Sequence, residues 1–396
     1  MEFLFPFSKR YFHHFFYLAA VSLVFILFPS NGFGQRYTWR KYETPHYVVL
    51  SELGENESRY VCSMIERIYK EYSKKFTFPR KPSGKFLLKV FSTNKEVKQY
   101  IQYRGGSSKW LGAYLRKRRE LVVSFEQSRI GFRSLLFHEG FHQFLEYYLP
   151  NPPIWFNEGL AEYFGTAIPI SREKFKFGVP ILSHLRRLKG ALSKGNSPFI
   201  GKVVTAGPQI FYHSGNEKLY YAKSWLLVHY LLKNTHLVNK IIQILLKKKG
   251  LNYYRLFGHA KNLENLLQNY LFELLDKSGE NLYQEGQKAF QQRKWDQAMR
   301  LFTKALSKNS YHPYARHYRG LIHFQKKNYK ASHYDFSKLI FWGYDWPPLF
   351  YYRALCNYHL GNSREALLDI KIAYSLDPKN PRIQKTLDFF LKKGKK

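Results

Sequence analysis

Apolar positions in the first third of the chain recur in two rhythms. Short apolar runs at His46–Leu50, Phe86–Phe91 and Leu121–Phe125 read as β-strands. Between the first two, Val61, Met64, Ile65 and Ile68 fall on one face of a helix over Asn56–Tyr72, and a further helix is expected near Lys95–Tyr103. A long helix over Phe132–Tyr148 follows, stopped by Pro150, Pro152 and Pro153. Residues 166–219 are rich in Gly, Pro, Ser and basic side chains, with one helix expected at Ile181–Leu192. Ala222–Leu232 and Val238–Leu246 are strongly apolar and read as helices, and a linker is expected around Asp276–Glu280. The pattern predicts an α+β arrangement leading into a helical half.

Beyond residue 280 the chain repeats itself every 34 residues without insertion. Gly286, Gly320 and Ala354 stand in one column, and Ala298, Ser332 and Ala366 in another. Phe302, Phe336 and Ile370 form a third, and Ala305, Leu339 and Ala373 a fourth. Small residues in the first two columns let paired helices approach closely, while the larger ones fill the groove between repeats. These columns, closed in the third repeat by Asp377-Pro378, resemble tetratricopeptide repeats over residues 281–390, together with a C-terminal helix and a basic tail. Such a module implies a protein partner bound through the repeats.

The chain has 396 residues, with 64 Lys and Arg against 28 Asp and Glu, for a formal net charge of +36. Two cysteines, Cys62 and Cys356, exclude a disulfide framework and a cysteine-rich zinc module, and both are expected in the core. Residues 1–34 look like a leader: Lys9 and Arg10 precede an apolar run from Phe15 to Phe28, and Gly32 and Gly34 stand at cleavage spacing. The expectation is an exported protein, periplasmic, envelope-bound or secreted, or one anchored by that segment. Its removal takes away only Glu2, Lys9 and Arg10 among the charged residues, so the basicity belongs to the folded part. The basic runs Arg80–Lys85, Arg116–Arg119, Lys247–Lys249 and Lys392–Lys396 are scattered and lie beside turns. No groove-reading motif accompanies them, so an anionic envelope surface is favoured over nucleic acid.

One cluster carries chemistry. His138-Glu139-Gly140-Phe141-His142 is an HExxH motif on a predicted helix, where residues four apart share a face, so His138 and His142 offer two imidazoles to one metal. Glu139 lies beside them, placed to take a proton from water. Zinc needs a third protein ligand, and Glu158 follows His142 by 16 positions, enough to finish one helix and return on a second. Glu162, one turn on, suits a carboxylate that holds a ligand histidine by its other N–H. Gly159 and Ala161 allow that second helix to pack closely. The remaining histidines, His229 and those of the repeats among them, are expected to be ordinary packing residues.

HExxH followed by Asn157-Glu158-Gly159-Leu160-Ala161-Glu162-Tyr163 resembles the gluzincin metallopeptidases, especially the bacterial peptidase-MA-like group. The resemblance implies an α+β zincin-like metallopeptidase domain at 36–275, followed by an all-α tetratricopeptide-repeat solenoid. It implies zinc on His138, His142 and Glu158, with Glu162 behind them. It also implies a tyrosine opening a later helix that donates to the oxyanion, and the stretch beginning at Tyr221 is similar to that segment. The exopeptidase motif of the aminopeptidases is not recognisable. The expected activity is zinc-assisted hydrolysis of a peptide or protein substrate, with Glu139 and Tyr221 as catalytic groups and strand Leu121–Phe125 pairing with an extended substrate. The alternative is an inactive metallopeptidase-like scaffold in which the repeats do the work.

Overall fold

The computed structural model describes residues 39–78, 83–107, 109–126, 128–171, 174–247 and 259–393. The leader expected at 1–34 lies outside the described residues, as do parts of the basic runs at 80–85, 247–249 and 392–396.

The N-terminal part is built on a five-stranded mixed sheet in the order β1-β2-β3-β5-β4. Its strands are β1 (Arg40–Glu43), β2 (Tyr47–Ser51), β3 (Phe86–Phe91), β4 (Gly112–Leu115) and β5 (Glu120–Ser124). The three inner strands run parallel, and the two edge strands pair antiparallel to them. Helices α1 (Glu55–Lys75) and α3 (Arg129–Tyr148) pack on one face and α2 (Asn94–Tyr103) on the other. Coverage on both faces explains why the inner strands read as nearly continuous apolar runs. Thr93 closes a full capping box at the start of α2, and the hydroxyl of Ser128 accepts from Gly131 N to start α3.

One expectation is corrected here. Leu121–Phe125 is not an exposed edge, because Glu120–Ser124 is buried along its whole length and bonded to β3 on one side and β4 on the other. The edge strand beside α3 is β4, whose four residues carry too little alternation to be read from the sequence.

After α3, the turn around Asn151, in the left-handed region at φ 56°, sends the chain back along α4 (Ile154–Gly165). Two short strands, β6 (Ile168–Pro169) and β7 (Phe175–Lys176), then lead to α5 (Leu182–Ser193), α6 (Ile200–Val204), α7 (Pro208–His213) and α8 (Glu217–Leu231). α9 (Thr235–Leu246) and α10 (Ala260–Lys277) complete the part, with Leu263, Leu267, Leu271 and Leu274 of α10 in the same core as α1, α3 and α4.

The expected linker is a tight turn. Ser278 and Gly279 separate α10 from α11 (Glu280–Gln291); Gly279 has φ 70°, and a Cβ there would lie 2.5 Å from Ala305 O. Then come α12 (Trp295–Lys308), α13 (Pro313–Gln325), α14 (Tyr329–Phe341), α15 (Pro347–His359), α16 (Ser363–Leu376) and α17 (Pro381–Lys393). They form three helical hairpins with the 34-residue period, closed by α17. The small columns act as expected: a Cβ at Gly286 would lie 2.7 Å from the Phe302 ring, and one at Gly320 would lie 3.0 Å from the Phe336 ring. Phe302, Phe336 and Ile370 are fully buried between the hairpins.

The repeats dock directly on the N-terminal part. Buried Arg133 of α3 donates to Trp342 O at 2.8 Å and to Ala167 O at 3.2 Å, and Ile130 N donates to Gly343 O at 3.2 Å. Ile168 and Val179 join the core of the second and third hairpins.

Candidate metal centre

The helix spacing in α3 places the rings of His138 and His142 edge to face, with centroids 4.8 Å apart. The return of α4 brings Glu158 to them. Its Oε2 lies 3.5 Å from His138 Nε2 and 3.6 Å from His142 Nε2. Among the described residues, these three form the one His/Cys/carboxylate group with ligand atoms all within 4.8 Å of one another.

Whether a zinc ion fits can be judged from Glu158. It is 5 % exposed; its Oε1 accepts from the Tyr212 hydroxyl at 2.6 Å, while the buried Oε2 has no hydrogen-bond partner. An unpaired buried carboxylate oxygen costs stability unless a cation or proton donor meets it. Ligand atoms about 2.1 Å from a tetrahedral centre lie about 3.4 Å apart, close to the two separations between Glu158 and the histidines. The donor set and its spacing suit zinc.

Each of these candidate ligands is held from behind. His142 Nδ1 donates to Asn157 Oδ1 at 2.9 Å, which turns its Nε2 toward Glu158. His138 Nδ1 faces Glu162 Oε1 at 3.8 Å, and Glu162 Oε2 is met by His184 Nε2 of α5 at 3.1 Å. Burial opposes charge on His142, but the Glu158 carboxylate and then Glu139 and Asn157 outweigh it and push the imidazole up to about 10. Burial likewise opposes ionisation of Glu158, yet the facing histidines hold its carboxyl far below the usual range. The site is therefore built to hold positive charge against Glu158.

Glu139 sits on the sheet side of this cluster, where its Oε2 accepts from Tyr114 N of β4 at 3.0 Å. The catalytic candidate and the edge strand are thus fastened together. Tyr221 approaches from α8, its ring 6.3 Å from that of Tyr212 and 5.3 Å from Phe211. Burial, then the negative fields of Glu158 and Glu139, push its hydroxyl far above the ordinary phenol range, so it remains a donor. What brings α8 so near is Gly159, where a Cβ would lie 2.6 Å from Ser224 O.

The structure brings together His138, Glu139, His142, Glu158, Glu162 and Tyr221. Three neighbours escaped the sequence reading. Asn157 stands directly before Glu158, but nothing in its spacing marks it as a partner of His142. His184 lacks ligand spacing to any other histidine, and Tyr212 lies 54 residues from Glu158 on a six-residue helix, with no periodic signal.

No family model matches the chain, and no curated protein matches it. Among solved structures, the first TPR domain of Spaghetti (RPAP3) bound to an HSP90 peptide is similar at 21 % identity and TM-score 0.29. The match covers 30 % of this chain and 94 % of that one. The Arabidopsis OM64 TPR domain is similar at 18 % identity and TM-score 0.28, covering 29 % and 94 %. The Yersinia enterocolitica type III secretion chaperone SycD, in complex with a peptide of the translocator YopD, is similar at 19 % identity and TM-score 0.27, covering 29 % and 93 %. The helices themselves carry the assignment: the C-terminal part has a helical repeat fold of tetratricopeptide type. It is joined to an α+β part that gathers two histidines and a glutamate around one point.

Proposed function

We propose that the α+β part is a zincin-like metallopeptidase domain and that this chain hydrolyses peptide bonds at the His138–His142–Glu158 centre, with the repeats binding a protein partner. The observation that supports it best is the unpaired, buried Glu158 Oε2 facing both Nε2 atoms. Zinc held there supplies Lewis acidity for the scissile carbonyl and for water. Glu139 takes the proton of the attacking water and passes it to the leaving nitrogen. The Tyr221 hydroxyl donates to the developing oxyanion. Tyr212 and Asn157 keep Glu158 and His142 aimed at the centre. Because β4, not β5, is the edge beside α3, an extended substrate would pair with Gly112–Leu115.

The test is metal analysis and cleavage of a broad peptide library by the purified protein. Glu139→Gln is expected to keep zinc and lose cleavage, while His138→Ala loses the zinc. A zinc-loaded wild type that cleaves nothing refutes the enzyme reading.

The second reading is a scaffold whose work is done by the repeats. It draws support from the first helices of successive hairpins, which pack side by side and leave an extended surface for another protein. Export to the cell envelope, and attraction of the basic surface to anionic lipid or polymer, belong to the same proposal. No helix among the described residues is long and apolar enough to cross a membrane.

A further inference from the structure

α5 carries two sets of contacts that face opposite ways. His184 Nε2 lies 3.1 Å from Glu162 Oε2, and because the carboxylate only accepts, the ring donates. Glu162 turns its other oxygen to His138 Nδ1. The His184 ring is confined by Trp225 of α8, with centroids 5.6 Å apart, and its buried Nδ1 meets no partner, so the bond to Glu162 is what orients it. Two residues on, and so on the far side of the helix, Arg186 grips Glu280 of the first repeat through Nε at 2.7 Å and a terminal nitrogen at 3.0 Å. Its guanidinium also lies 5.5 Å from the Tyr314 ring of the second repeat. Lys189 adds a bond to Asn281 at 3.3 Å. The Glu280 side chain is 1 % exposed and that of Arg186 40 % exposed, so a buried carboxylate is held by a two-pronged guanidinium at the rim of the junction.

We propose that His184 is a positioning residue for His138, acting through Glu162, and that the first repeat holds its helix in place through Arg186–Glu280, so that the repeats set the zinc affinity of the centre. The inference rests on the metal-centre reading above. It explains why the array is docked by buried bonds instead of hanging from a linker. Without the repeats α5 loses its outer support, and Glu162 loses the donor that aims it.

The experiment is zinc affinity of the full-length protein, measured by competition with a chromophoric chelator, with circular dichroism to verify the fold. His184→Leu keeps similar bulk without a donor and is expected to weaken binding about tenfold or more, the effect typical of a ligand's supporting partner. His184→Gln restores an N–H at similar reach and is expected to stay within about threefold of wild type, a recovery that mere packing would not give. Arg186→Met, distant from the centre, is expected to weaken binding about threefold to tenfold. If His184→Leu does not fold, His184→Asn replaces it, since its shorter amide falls short of Glu162. Wild-type affinity in His184→Leu or Arg186→Met, or a loss that His184→Gln does not recover, overturns the inference while the metal centre stands. A wild type that takes up no zinc overturns both.

Discussion

Gly159→Ala tests the packing that brings α8 to the centre. A Cβ at this position would stand 2.6 Å from Ser224 O, 2.7 Å from Val228 Cγ2 and 2.9 Å from Ser224 C. Two of these atoms are backbone, so no rotamer change relieves the clash. α8 must withdraw by roughly 0.8 Å to reach an ordinary contact of about 3.4 Å. Overpacking of this kind costs about 1–3 kcal/mol. Alanine regains about 0.5–1 kcal/mol of helix propensity over glycine, so the net loss is centred near about 1 kcal/mol and reaches about 2.5 kcal/mol. At about 2–4 °C per kcal/mol for a part of this size, Tm should fall by about 3 °C and by no more than about 10 °C. Glu158, one residue away, shifts with α4, and Tyr221 shifts with α8, so zinc affinity should fall by about tenfold as well. Calorimetry and chelator competition read the two effects on the same sample. A variant with unchanged or raised Tm and wild-type zinc affinity would show that the helix crossing is soft and that the small residue carries no constraint.

Further outcomes follow from other parts of the structure. Tyr212→Phe removes the hydroxyl that donates to Glu158 Oε1 and should weaken zinc binding by about tenfold with little change in the fold, as read by the same competition assay. Glu52 is pushed up to about 7 by burial and by the neighbouring Glu96 carboxylate. Folded protein therefore holds a proton that the unfolded chain releases near pH 4.5, and stability falls as pH rises from about 4.5 to about 7. Because this carboxyl is partly exposed, the loss is discounted to about 1 kcal/mol. Glu52→Gln keeps an acceptor for Ser92 N and should melt higher than wild type at pH 8 but equally at pH 5; a difference independent of pH refutes the assignment.

Local rules made the centre and the repeats legible. Two histidines four apart on a helix, and a glutamate on the next helix, follow from helical periodicity and a proline-marked turn. The 34-residue columns likewise follow from identical contacts made at each hairpin. Their close approach was readable from Gly286 and Gly320, since only small residues fit where a Phe ring lies 2.7 to 3.0 Å from the place a Cβ would take. The strands of the sheet were mostly visible too, as apolar runs, but not their order. That β5 is interior and β4 the edge depends on pairings between segments far apart in the chain, which leave no periodic trace in either one. Asn157, Tyr212 and His184 were invisible as site residues for the same reason: each meets the centre across a helix junction. The net charge and the residue types of the candidate centre are properties of the chain as written. Only the folded molecule decides which carboxylate oxygen is left unpaired, which tyrosine holds it, and that the repeats are bolted to the helices of the site through Arg133 and Arg186. Those are long-range contacts, set by packing and not by spacing.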